Sequence, residues 1–209
     1  MVVPVEEDLE SRIIGWLQEG HDDARDIIDF PWIVNNIAPG KYTAEYPKMP
    51  FVLNLIFGEG FVYLIVPLGV DTLALPTDER LKIYHTLLRL NDSLNLLKFT
   101  LSGMNDDIML RVDLDKKTLG RDEFNDALTA LLLGINEVVR ALGLEEDFAQ
   151  SVFEHVIGMV IERMEKGATK AELMDFLVAK VGLSKEDAEA LLNQIFNSVR
   201  GTDEDIGYF

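Results

Sequence analysis

Residues 81–142, LKIYHTLLRLNDSLNLLKFTLSGMNDDIMLRVDLDKKTLGRDEFNDALTALLLGINEVVRAL, change hydrophobic period twice, and this narrows the possible folds more than any other feature of the chain. At the start, Asp78, Lys82, His85, Arg89 and Asp92 recur every three to four positions, the polar stripe of a helix beginning near Asp78. Leu81, Tyr84 and Leu88 make one apolar ridge, and Ile83, Leu87, Leu90 and Leu94 make another. Together they form a wider arc than a helix on one sheet needs. Thr77 stands where an N-cap is expected, with Asp78 and Glu79 complementing the positive end of the helix.

After Asn95 the period becomes two. Leu97, Phe99 and Leu101 alternate with Lys98, Thr100 and Ser102; residues 103–107 have turn chemistry; then Ile108, Leu110, Val112 and Leu114 alternate with Met109, Arg111, Asp113 and Asp115. This predicts an antiparallel hairpin with one wet face. Beyond Gly120, Phe124, Leu128, Leu131, Ile135, Val138 and Leu142 return to helical spacing, with Gly143 as the C-cap.

The remaining segments complete an α+β pattern. Residues 6–19 read as a first helix, residues 30–34 and 41–46 as short strands around Pro39-Gly40, and residues 51–57 and 61–66 as a hairpin joined by Gly58-Glu59-Gly60. The near-continuous hydrophobicity of this hairpin predicts strands covered on both faces, or on one face by a partner. The expected order is α-β-β-(β)-α-β-β-α over residues 1–143, an antiparallel sheet flanked by helices. A C-terminal extension of three helices over residues 144–209 follows. Two of its helices start at the capping boxes Thr169/Glu172 and Ser184/Asp187, and it ends in the acidic tail GTDEDIGYF.

Charge restricts the partners. Up to Gly143 there are 13 basic and 23 acidic residues, and after it 6 and 14, so the parts carry −10 and −8 of the net −18. A surface for nucleic acid or an anionic membrane needs clustered Lys and Arg, so neither partner is expected. With no cysteine, disulfides and thiolate chemistry are absent. The N-terminus MVVPVEED lacks the basic and long apolar regions of a secretory signal, and no apolar run is long enough to span a bilayer, so a cytoplasmic location is expected.

The sequence LLRLNDSLNLLKFTLSGMNDDIMLRVDLD, with Leu90-Asn91 near the helix end, Lys98-Phe99 entering one strand and Ile108 to Asp113 in the next, resembles the bacterial YbjN-like family of sensory-transduction regulators. The element order is also similar to that of type III secretion chaperones, to which that family looks related. The resemblance covers residues 6–142. It implies an α+β domain that binds protein and pairs with itself, and it carries no catalytic residues to transfer.

No pattern of reactive groups emerges. His21, His85 and His155 are dispersed, and residues 113–118 begin like a calcium loop but place Thr118 where Gly is required and Phe124 where the closing Glu belongs. Gly58 and Gly60 lack the rest of a dinucleotide loop, and Asp106-Asp107 lie in a turn. No catalytic residue, cofactor or metal is therefore expected. The apolar surplus points instead to a non-enzymatic, homodimeric protein-interaction module, chaperone-like or regulatory, with Ile83, Leu87, Leu90, Leu94 and Leu133 as candidate partner-binding residues. Two alternatives remain open at this point. One is a small-ligand protein or enzyme using carboxylates in a pocket. The other is a C-terminal helix-turn-helix reader, which the −8 charge opposes. Residues 206–209 are expected to dock in a groove of their own or a neighbouring chain.

Overall fold

The computed structural model describes residues 8–204, with side chains as far as Asn197, so the expectation for residues 206–209 lies outside the described residues. The chain divides into two compact units, Met1–Glu145 and Glu146–Phe209.

The first unit contains α1 (Leu9–Gln18), a 3-10 turn (Ile27–Asp29), β1 (Ile33–Ala38), β2 (Lys41–Glu45), β3 (Val52–Phe57), β4 (Phe61–Asp71), α2 (Thr77–Ser93), β5 (Lys98–Ser102), β6 (Asp107–Asp115) and α3 (Arg121–Leu142). Its strands form one antiparallel sheet in the order β1-β2-β3-β4-β6-β5. The α+β architecture is therefore as the sequence implied, with one difference in the count: four strands precede α2, where two or three were expected. The strand placed at residues 30–34 also runs later, at Ile33–Ala38. As an edge strand with mostly exposed side chains, β1 has little reason to show the alternation that marks a half-buried strand.

Alternation identified the later hairpin well. Ile108, Leu110, Val112 and Leu114 are all buried, and β5 pairs β6 with Phe99 opposite Leu110. Leu97 and Phe99 are buried too, while Leu101 is exposed near the strand end. In the earlier hairpin Leu53, Leu55, Val62 and Leu64 are buried, whereas Val52, Ile56, Tyr63 and Ile65 are half-buried. Its unbroken hydrophobicity thus combines one covered face with a second face of partly shielded apolar groups.

Helices anchor the covered face through specific side chains. The Tyr42 hydroxyl on β2 donates to Glu10 Oε1 of α1 at 2.6 Å, and this hydrogen bond, with burial adding to it, raises the tyrosine's pKa. Trp16 of α1 meets Phe124 of α3 with ring centroids 6.1 Å apart. Asn125 Oδ1 accepts the Ile28 amide at 3.1 Å, and Arg121 pairs with Asp29, so α3 also fixes the 3-10 turn. Beside that turn, Tyr46 stacks on Phe30 at 5.0 Å, and burial followed by the nearby Asp22 pushes its phenol up to about 12.

The ends of two helices separate a correct expectation from a corrected one. Gly143 caps α3 in the left-handed conformation, φ 66°, as its position implied. The N-cap of α2, however, is Pro76 and not Thr77: Pro76 holds the extended φ of −54° and ψ of 148°, its carbonyl accepts the Arg80 amide at 3.0 Å, and Thr77 becomes the first helical residue.

The second unit contains α4 (Glu145–Glu165, whose first residue precedes the division), α5 (Lys170–Asp175) running on into a π-helical turn (Phe176–Val181), and α6 (Lys185–Glu204). Val156, Val160, Leu173, Leu177, Ala188 and Leu192 are central to its core. The Arg163 guanidinium lies 3.8 Å from the Phe176 ring centroid and donates to the Met159 carbonyl at 3.1 Å. Both sequence-identified N-caps are present. Thr169 and Glu172 make the full reciprocal box, and Ser184 Oγ accepts the Asp187 amide at 3.1 Å.

Candidate protein-contact surface

The surface is built around a small polar knot. Thr72, fully buried at the end of β4, donates from Oγ1 to the Asp106 carbonyl at 2.9 Å. Its single proton is thereby used, so in the 2.8 Å contact with Tyr84 the tyrosine hydroxyl is the donor. This Tyr84–Thr72–Asp106 relay ties α2 to β4 and to the β5–β6 turn. Next to it, the Leu73 amide donates to the Asn105 carbonyl at 3.0 Å.

The far end of α2 is tied down in another way. Asn91 accepts the Phe99 amide through Oδ1 at 2.7 Å and donates to the Phe99 carbonyl through Nδ2 at 3.2 Å. Because β5 is an edge strand, these backbone groups would otherwise lack a strand partner, and the side chain closes that edge at one point. Asn91→Ala is expected to lower stability by about 1–3 kcal/mol, since two backbone groups lose their partners together. Urea unfolding measures this, and a midpoint equal to wild type would show that solvent replaces both bonds without cost.

With α2 held at its middle by Tyr84 and near its C-terminus by Asn91, its outward side is defined. Leu81 and Leu88 are 62% and 68% exposed, Lys82, His85 and Arg89 are exposed beside them, and Leu73 and Met104 project from the segments joined by the knot. The ridge chosen from sequence lies elsewhere. Leu87 is only 5% exposed, and Ile83, Leu90 and Leu94 are half-buried, so this ridge mainly serves the interior. Leu133 is 57% exposed on α3. The exposed apolar side chains of α2 and the segments beside it are thus Leu81, Leu88, Leu73 and Met104, none of them among the partner-binding candidates named from sequence.

Two carboxylates of β6 make structural contacts. On the second sheet face, Asp113 meets Lys98 Nζ at 2.6 Å and Arg111 Nε at 2.5 Å, while Arg111 lies 4.5 Å from the Tyr63 ring centroid. Burial pushes Asp113 up, but these two cations outweigh it and hold the carboxyl below its ordinary range. Asp115 Oδ1 accepts the Lys117 amide at 2.9 Å, so the calcium-like stretch is a strand end followed by a side-chain-supported turn. Among the described residues no three His, Asp or Glu side chains group as metal ligands, and no helix is long and apolar enough to cross a membrane.

A family model described as a domain of unknown function, DUF8183, matches residues 12–142, more than half of the chain and nearly the whole α+β unit. The chain belongs to the DUF8183 family. A second model, HTH_78, also described as a domain of unknown function, matches residues 143–209. In that region beyond the DUF8183 match, the π-helical turn and α6 are separated by residues 182–184, a short helix–turn–helix connection. The first turn of α6 carries Glu186 and Asp187. No curated protein matches this DUF8183 chain. Among solved structures, it is similar to a chain from the heterodimeric complex ExoU–SpcU of the type III secretion system of Pseudomonas aeruginosa. The identity is 18% and the TM-score 0.39, over 60% of this chain and 93% of that one. So loose a likeness assigns no role.

Proposed function

We propose that the protein is a non-enzymatic interaction module, chaperone-like or regulatory, whose contact surface is the outward side of α2 with the adjoining β5–β6 turn. The observation that carries this reading is the exposure of Leu81 and Leu88 on a helix fixed at its middle and near its C-terminus by hydrogen bonds. A leucine moved from water into an interface contributes about 2 kcal/mol, so a contact covering both, with Leu73 and Met104, would gain considerably from burial. A rigid helix also loses little further freedom on binding. Either a different protein or a second copy of this chain fits the general reading.

The direct test compares wild type with Leu81→Asp/Leu88→Asp by light scattering coupled to size exclusion, alone and after capture from the native cell extract. Both side chains are exposed, so the variant is expected to remain folded while losing the wild-type assembly or captured partner. A wild-type monomer without a partner, or an assembly unaffected by both substitutions, would overturn the proposal.

A further inference from the structure

We infer that the outer edge of β1 pairs antiparallel with β1 of a second copy, extending the sheet across a twofold axis. In the order β1-β2-β3-β4-β6-β5, the two edges are β1 and β5. β5 begins with the exposed Lys98 and has Asn91 bonded to its backbone. β1 has neither kind of protection: no Lys, Pro or acid lies between Ile33 and Ala38, and residues 30–40 carry no charged side chain. Residues 49–58 and 60–70 of the central hairpin share this composition. β1 therefore has the chemistry of a strand flanked on both sides, although among the described residues only β2 lies beside it. The outward amides and carbonyls of such an edge match another extended backbone, and Ile33 and Ile37, 38% and 64% exposed, add apolar surface to it.

The side chains point to a second copy as the added strand. A twofold axis perpendicular to the sheet sets one residue of each strand against itself. At the centre of β1 that residue is Asn35, which is exposed. Its neighbour Asn36 lies across from Tyr42, whose hydroxyl reaches α1, so Asn35 stands on the opposite face of the sheet. A carboxylate or an ammonium there would meet its own charge, whereas a primary amide both donates and accepts and so complements its twin. The same register brings Ile33 of each copy to Ile37 of the other. The bulge between Asn36 and Ala38 leaves Ile33–Asn36 in regular register with β2. The antiparallel direction also keeps the acidic stretches 22–29 of the two copies at opposite ends of the pairing, about 20 Å apart and well beyond the roughly 8 Å over which physiological salt screens charge.

This pairing is independent of the α2 surface, since α2 packs against β5 at the opposite edge. Sedimentation velocity of the full chain over a concentration series tests it. Six residues of edge bury less than a standard interface, so wild type is expected to dimerise at micromolar concentration. Asn35→Lys and Asn35→Glu, each set against its own charge, should each weaken the dimer at least about tenfold, and an equimolar mixture of the two should restore it as a mixed dimer. Restoration by mixing also shows that neither variant has simply failed to fold. A monomeric wild type, a dimer that survives both substitutions, or a mixture no more associated than the separate variants would overturn the inference. Leu81→Asp/Leu88→Asp should leave this dimer intact, so that the assembly reporting on α2 is the one with its captured partner. Dissociation of the dimer by that pair would seat the second copy on α2 and overturn the β1 assignment.

Discussion

Gly20→Ala is expected to destabilise the α+β unit by about 3 kcal/mol, the upper end of what an overpacked site usually costs. A Cβ at position 20 would stand 2.2 Å from the Phe30 carbonyl oxygen, 2.3 Å from its carbon and 2.5 Å from the Asp29 oxygen. All three are backbone atoms, so no rotamer change relieves the clash. That backbone is itself restrained: His21 donates to the Asp29 carbonyl at 2.8 Å, Trp32 donates to the Leu17 carbonyl at 3.1 Å, and Phe30 stacks on Tyr46. Admitting a methyl group therefore requires breaking part of the link between α1 and β1. Trp16 and Trp32, the chain's two tryptophans, both lie in this unit, so their fluorescence during urea unfolding reports on it directly. A midpoint indistinguishable from wild type would contradict the close approach.

The second large effect is expected at Phe124. Truncation to alanine removes a fully buried ring, leaves Trp16 facing a cavity and weakens the contact of α1 with α3, at a cost of about 3–5 kcal/mol. Phe124→Leu keeps most of the volume and should cost less than about half of that. The same fluorescence measurement separates the two variants. If Phe124→Ala lost less than about 1 kcal/mol, the helices would have to relax into the space far more than packed cores usually do.

What was legible in the sequence followed from how strongly each segment is half-buried. In β6 the buried side chains and their partners alternate without interruption, and in α3 the buried Phe124, Leu128, Leu131, Ile135 and Val138 keep helical spacing, so local pattern and burial agree. β1 gave a weak signal because an edge strand does not need strict alternation. The start of α2 was displaced by one residue: Pro76 takes the cap position with its fixed φ and no side-chain hydrogen bond, leaving Thr77 as the first helical residue.

The burial of the Ile83, Leu87 and Leu90 ridge has a geometric cause. At about 100° per residue, Leu81 and Leu88 fall within about 60° of His85 around the helix, while Ile83, Leu87 and Leu90 lie roughly opposite it. The polar stripe itself therefore indicated that Leu81 and Leu88 face water and that Leu87 faces inward. The apolar arc is broad, and its exposed side is the one that carries Leu81 and Leu88. Leu73 and Met104 were beyond local periodicity, because the knot of Thr72, Tyr84 and Asp106 that brings their segments to α2 spans three separate parts of the chain.

Photo-crosslinking from position 88 tests the outward α2 face most directly, with a photoreactive phenylalanine analogue placed there in the full chain and, for comparison, at the exposed Ala141 of α3. Irradiation in the native cell extract is expected to give a discrete adduct with another polypeptide from position 88, absent from position 141 and suppressed by Leu81→Asp. Only solvent-quenched product at position 88, or the same adducts from both positions, would contradict a specific protein contact on this helix.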